Sequence, residues 1–171
     1  MASIGLFFGS DEGNTDAVAH KIAERLGEDN VDIYDVADVT QEEFGQYSSI
    51  ILGISTWDVG QIQSDWEEFW DDGSEIVFAG KTVAFFGLGD QFGYGDFFVD
   101  AMGMLHDVVA DRGAKVIGQW PTDGYEFDAS KALDESTNQF VGLPIDEDQQ
   151  PELTEERLDR WCALISGPLG L

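Results

Sequence analysis

The stretch Ile4-Gly5-Leu6-Phe7-Phe8-Gly9-Ser10-Asp11-Glu12-Gly13-Asn14-Thr15 decides the architecture of this chain. Its first five residues form an apolar run of strand length, and glycine and small polar residues then break it, which reads as a buried strand entering a loop. Helical spacing follows at once: Ala17, Val18, Ile22 and Leu26 recur on one face, Asp16, Lys21, Glu24 and Arg25 are left for solvent, and Gly27 supplies a stop. A buried strand, a short polar loop and an amphipathic helix make the first half of a βαβ unit.

Outward from that unit the alternation repeats. Val31 to Asp35 predicts a second strand, Thr40 with Glu43 a capping-box start for a short helix over Glu42 to Tyr47, and Ile50 to Ile54 a third strand. That third run is apolar throughout, as expected of a parallel strand covered on both faces. Ser64 and Glu67 open a helix carrying Trp66, Phe69 and Trp70; Thr82 to Gly87 is a fourth strand. Val99, Met102, Leu105 and Val109 define a helix face ending at Arg112-Gly113, and Val116-Ile117 belongs to a fifth strand. About twenty turn-rich residues follow, strand character resumes over Phe140 to Leu143, and a last helix from Thr154 buries Leu158, Trp161, Cys162 and Ile165. Five alternations with short connections predict a doubly wound α/β fold, with helices on both faces of a five-stranded parallel sheet in a single domain.

Composition narrows the function. Of 171 residues, 8 are Lys or Arg and 35 are Asp or Glu, a formal net charge of −27. This argues against nucleic acid and anionic membranes, since phosphate is held mainly by Lys and Arg. Hydrophobic residues at 43% and aromatics at 12% exclude an acidic disordered tail. No apolar run approaches the ~20 residues of a membrane span. The amino-terminal residues do not read as a secretory signal, and one cysteine excludes an internal disulfide framework; both predict the cytoplasm.

In a doubly wound sheet, ligands bind at the carboxyl ends of the strands where the winding reverses. The loop from Gly9 to Thr15 sets hydroxyls and glycine beside a helix N-terminus, a neutral cradle suited to one terminal phosphate; an ordinary strand-to-helix turn capped by Ser10 is the other reading. It lacks the Lys of a nucleoside triphosphate loop. After the third strand, Ser55-Thr56-Trp57-Asp58-Val59-Gly60 places a large aromatic at the sheet edge, where it packs on the next helix or meets a ligand. After the fourth, Gly87-Leu88-Gly89-Asp90-Gln91-Phe92-Gly93-Tyr94-Gly95-Asp96 combines close backbone approach with another aromatic, without the dinucleotide fingerprint. A flat ring system with a monophosphate arm suits that crevice. His20 and His106 lack partners at metal-ligand spacing, and no metal site is expected.

These residues resemble the long-chain flavodoxins over nearly the whole length. The resemblance is carried by Ile4 to Ser10, Thr56-Trp57, Ser64-Asp65-Trp66-Glu67, Gly87 to Gln91 with Tyr94, Thr122-Asp123-Gly124-Tyr125, Phe140-Val141-Gly142-Leu143 and Asp146-Glu147-Asp148. Flavodoxin is itself the standard illustration of strand order 2-1-3-4-5 with FMN at the switch point, so the expected fold is partly this resemblance. It implies that Ser10, Asp11, Glu12, Gly13, Asn14 and Thr15 surround the FMN phosphate, and that Thr56 and Asp146 lie near the ribityl chain. It further implies that Trp57 and Tyr94 sandwich the isoalloxazine, with Asp58, Val59, Gly60 and Phe97 in the same shell and the Gly89-Asp90 backbone at the pyrimidine edge. At Glu12 the family usually has Thr; a carboxylate cannot donate to phosphate, so Glu12 is expected to face solvent. Residues 119–139 match the long-chain insertion, here within the fifth strand.

The implied function is low-potential, one-electron transport on non-covalent FMN, between semiquinone and hydroquinone, with no substrate of its own. Expected partners are proteins with basic surfaces: a flavodoxin/ferredoxin-NADP reductase type donor and a nitrogenase or radical-enzyme type acceptor, meeting a monomer. At an effective dielectric of about 20, a negative charge about 10 Å from an anionic flavin raises its energy by roughly 1.7 kcal/mol, before salt screening. Asp58, Asp65, Glu67, Glu68, Asp71, Asp72 and Glu75 fall between Trp57 and Glu75 with no Lys or Arg, which predicts acidity beside the flavin. An FMN-dependent quinone or NAD(P)H reductase is the alternative, and would need an open face above the flavin. A receiver-type signalling domain would need an Asp closing strand three and a Lys closing strand five, where Ile54-Ser55-Thr56 and Gly118-Gln119-Trp120 stand.

Overall fold

The computed structural model describes residues 2–9, 14–39, 41–55, 78–93 and 98–171. Strands β1 (Ile4–Phe8), β2 (Val31–Asp35), β3 (Ser49–Ser55), β4 (Thr82–Leu88) and β5 (Lys115–Ile117) form a parallel sheet in the order β2-β1-β3-β4-β5. Helices α1 (Asn14–Leu26), α2 (Gln41–Gly45), α3 (Asp100–Asp111) and α4 (Thr154–Ser166) accompany it. The short strands β6 (Trp120–Pro121), β7 (Leu133–Asp134), β8 (Gln139–Phe140) and β9 (Leu143–Ile145) complete the described strands.

The side chains assign the helices to opposite faces. Successive residues of a strand point to opposite sides. On β4, Phe85 meets His106 of α3, whereas Phe86 meets Trp161 of α4. Phe7, Leu52 and Phe85 share one register row, and the Phe7 ring packs tilted against Phe44, so α2 lies on the α3 face. Helix α1 packs against α4 on the other. Of the predicted stripe of α1, Val18, Ile22 and Leu26 are buried, whereas Ala17 is exposed and Ala19 and Ala23 complete the buried face; the α4 stripe is buried at Leu158, Trp161, Cys162 and Ile165. Every residue of β1 is buried, as are Ile50 to Ser55 of β3, which explains why these strands read as apolar runs rather than alternations.

The fifth position of the sheet is shared: β5 pairs with Thr82 to Ala84, and β9 continues along the same strand at Phe86 to Leu88. The chain between them builds a separate antiparallel sheet, β6-β8-β7. The run Phe140 to Leu143, expected as one strand, is therefore divided between two sheets. Gly142 makes the crossing possible, since a Cβ there would lie 2.2 Å from the Phe85 carbonyl oxygen. The helix expected after Ser64 lies outside the described residues.

Candidate functional site at the carboxyl edge of the sheet

Strands β1, β3, β4 and β9 run parallel, so their carboxyl ends open on one edge. Register brings Phe8 opposite Gly53, and Ser55, Leu88 and Ile145 into one row. Backbone bonds extend the sheet one residue into the loops: Gly9 N–H donates to Gly53 at 3.1 Å, and Gly89 N–H to Ile145 at 3.1 Å. The order reverses between β1 and β3, and α1 starts at Asn14 directly after the loop following β1. Its N-terminal turn brings amides that have no partner within the helix, and the positive end of the helix dipole, to this edge.

Of the site residues named from sequence, Asn14, Thr15, Gly89, Asp90 and Asp146 lie among those described, and all five belong to the loops or helix start at this edge. Ser10, Asp11, Glu12, Gly13, Thr56, Trp57, Asp58, Val59, Gly60, Tyr94 and Phe97 lie outside the described residues, as does the acidic run after Trp57.

Gly89, Asp90 and Asp146 have polar groups engaged within the protein. The amide of Gly89 is committed to Ile145, so its N–H is not free for a ligand at the pyrimidine edge. Asp146 is fully buried and its side chain is engaged by protein donors. Its Oδ2 accepts from Gln91 N and Gln91 Nε2 at 3.0 and 2.9 Å, and its Oδ1 from Asp148 N and Gln149 N at 3.1 and 2.8 Å. Asp146 thus brackets the loop after β4 to the loop after β9. Asp90 shapes its own loop: its Oδ1 accepts from Phe92 N and Gly93 N, closing a tight turn, and from Gln149 Nε2. The chemistry of the edge is acidic. Burial, with Asp90 and Asp146 nearby, pushes the Asp148 carboxyl above its ordinary range.

Sequence reasoning did not single out Ser55 or Gln91, two polar residues that the structure buries at this edge. The Ser55 hydroxyl ends β3 at this edge, is buried, and has no hydrogen-bond partner among the described residues. A buried hydroxyl of that kind calls for a partner from outside the described set, whether chain or ligand. Gln91 is 2% exposed inside a loop whose neighbour Phe92 is 62% exposed. Its only signal in sequence was a long amide among glycines and acids. His20 and His106 bond locally, to Asp16 and Asp107, and Cys162 is buried with its thiol pushed up to about 12 by burial.

The family of flavodoxins matches residues 6–161. The chain belongs to the flavodoxin family. It is 48% identical to flavodoxin 1 of Escherichia coli (strain K12) over 171 residues, covering all of this chain and 97% of that one. It is 49% identical to the flavodoxin of Picosynechococcus sp. (strain ATCC 27264 / PCC 7002 / PR-6) over 172 residues, with both chains covered completely. Among solved structures it resembles a Fusobacterium nucleatum flavodoxin bound to flavin mononucleotide, at TM-score 0.91 and 31% identity, covering 98% of this chain and 99% of that one. The flavodoxin expected from sequence is therefore the family found, and the observed strand order is the one expected. Among the described residues, no helix of this flavodoxin is long and apolar enough to cross a membrane.

Proposed function

We propose that this flavodoxin is an FMN-dependent electron carrier that exchanges single electrons with partner proteins and transforms no substrate of its own. The observation that carries the reading is full-length likeness to flavodoxins, one of them an FMN complex, joined to an edge whose donors suit that group. The fit is chemical. The Ser55 hydroxyl, buried and without a hydrogen-bond partner among the described residues, and the N-terminus of α1 supply donors at this edge. FMN supplies a centre that takes and releases electrons one at a time.

In this reading Ser10, Asp11, Gly13, Asn14 and Thr15 hold the phosphate by hydroxyl and backbone donors, with Glu12 turned to solvent. Trp57 and Tyr94 flank the ring system, Asp58, Val59, Gly60 and Phe97 complete its shell, and Thr56 lies by the ribityl chain. Asp146 serves by fixing the two loops that form the wall, since its oxygens are occupied. The Asp90, Asp146 and Asp148 carboxylates place negative charge beside that wall and favour a low potential. Residues 119–139 are an insertion in strand five, a reading supported by β5 and β9 pairing along one strand.

Partners with basic surfaces, of the NADP-linked reductase type as donor and the nitrogenase or radical-enzyme type as acceptor, suit a chain of net charge −27. The same charge opposes self-association and favours a monomer. The visible spectrum tests the assignment: protein loaded with FMN is expected to be yellow and to turn blue on partial reduction. A chain that stays colourless after incubation with FMN overturns it.

A further inference from the structure

Gln91 has every polar group of its side chain engaged. Its Oε1 accepts from the Glu126 amide at 2.5 Å; its Nε2 donates to Asp146 Oδ2 at 2.9 Å and to Gln150 Oε1 at 2.7 Å. The pattern fixes the amide in one orientation, because a flipped amide would face the Glu126 N–H with another donor. Gln150 then donates to the Gly124 carbonyl at 2.8 Å, where Arg157 Nη2 also donates at 3.2 Å. The Arg157 guanidinium lies 4.0 Å over the Tyr125 ring, and the Tyr125 hydroxyl donates to the Pro144 carbonyl at 2.7 Å. Residues 122–127, in the segment between β6 and β7, are thus tied through a buried amide to the turn at Asp90 and to Asp146. Gln91 itself has every polar atom of its side chain satisfied, so removing that polar end leaves the Glu126 amide, Asp146 Oδ2 and Gln150 Oε1 each short of a partner.

We propose that Gln91 is a positioning residue that couples residues 122–127 to the loop after β4, so that FMN binding orders both together. The proposal rests on the reading above that FMN binds at this edge. Ligand that fixes the Asp90 turn fixes Gln91, and Gln91 fixes the Glu126 amide; by reciprocity, a protein that docks on residues 122–127 alters the hold on FMN.

Amide hydrogen exchange read by mass spectrometry, on FMN-loaded and FMN-free protein, tests this with Gln91→Met, which keeps the length of the side chain and removes its polar end. In the native sequence FMN is expected to slow exchange at 122–127 by roughly fivefold or more, the lower range of coupling between linked sites. In Gln91→Met the protein still turns yellow and still gains protection at 89–93, while the FMN-induced slowing at 122–127 is lost. Slowing that persists in the variant, or that is absent from yellow native protein, overturns the coupling. Native protein that takes up no FMN overturns the functional reading instead. A merely structural Gln91 would lower the urea midpoint with and without FMN and leave the slowing in place. If Gln91→Met does not fold, Gln150→Leu cuts the Gly124 tie and leaves Asp146 its four donors and the Gln91–Glu126 bond in place; slowing at 122–127 is expected to persist, and its loss would show that Gln150 rather than Gln91 carries the coupling and overturn the proposal.

Discussion

Asp32, at the start of the sheet, shows how single side chains are set by their partners. Its Oδ2 accepts from the Tyr47 hydroxyl at 2.5 Å and from the Ala2 amide at 3.0 Å, and the Tyr47 bond chiefly holds the carboxyl below its ordinary range. A carboxyl whose folded value is depressed adds stability above the unfolded value and loses it as pH falls through the folded one. Tyr47→Phe is therefore expected to cost about 1–2 kcal/mol at neutral pH, and the difference should narrow at acid pH, as the pH falls through the depressed folded value. Urea unfolding of the FMN-loaded protein at neutral and acid pH measures this, and a gap independent of pH would refute it. Neither this pair nor Gln91 was legible in the sequence. An acid in an alternating strand and a glutamine in a loop read as solvated groups, and only the facing residue decides otherwise. The resemblance points to Asp146, but the four donors that occupy its carboxylate were not legible.

At the scale of elements, the legible parts were those with a long physical period. Strands β1, β3 and β4 are buried runs and α1, α3 and α4 are striped helices, so their sequences name them. The two-residue strands β6 and β7 have no period to read, and the split of the fifth position depends on a close contact at Gly142. A similar contact docks the small-sheet segment on α3. A Cβ on Gly103 would lie 2.4 Å from the Lys131 carbonyl carbon and oxygen, and the neighbouring Asp100 accepts from the Lys131 amide at 2.7 Å. Alanine at a helix interior normally gains about 1 kcal/mol over glycine. Here backbone stands in the way, and overpacking of that kind costs about 1–3 kcal/mol beyond the gain. Gly103→Ala is expected to lower the urea midpoint and to speed limited proteolysis within 119–139. A midpoint at or above that of the native protein would show that the segment does not press on α3.

For the whole molecule the decisive quantity is the charge of −27 and where its few cations are used. Lys21 and Arg25 of α1 are held by Glu155 and Asp159 of α4, and Lys81 is turned to the Gly45 and Tyr47 carbonyls at the amino end of the sheet. Arg157 is buried on Tyr125. These cations fasten elements to one another, while the loops at the carboxyl edge hold Asp90, Asp146 and Asp148. Salt should therefore act in two opposite directions. Raising ionic strength from about 10 mM to about 150 mM shortens the screening length from about 30 to about 8 Å. Self-repulsion within the chain weakens, so the melting temperature of the FMN-loaded protein is expected to rise. Steering toward a basic partner weakens over the same range, so the rate of electron transfer measured by stopped-flow should fall by tenfold or more, within the range of electrostatic steering. A rate that falls while the protein melts higher cannot be ascribed to unfolding, which makes the pair of measurements decisive. A transfer rate indifferent to salt would mean that the acidic edge plays no part in finding the partner.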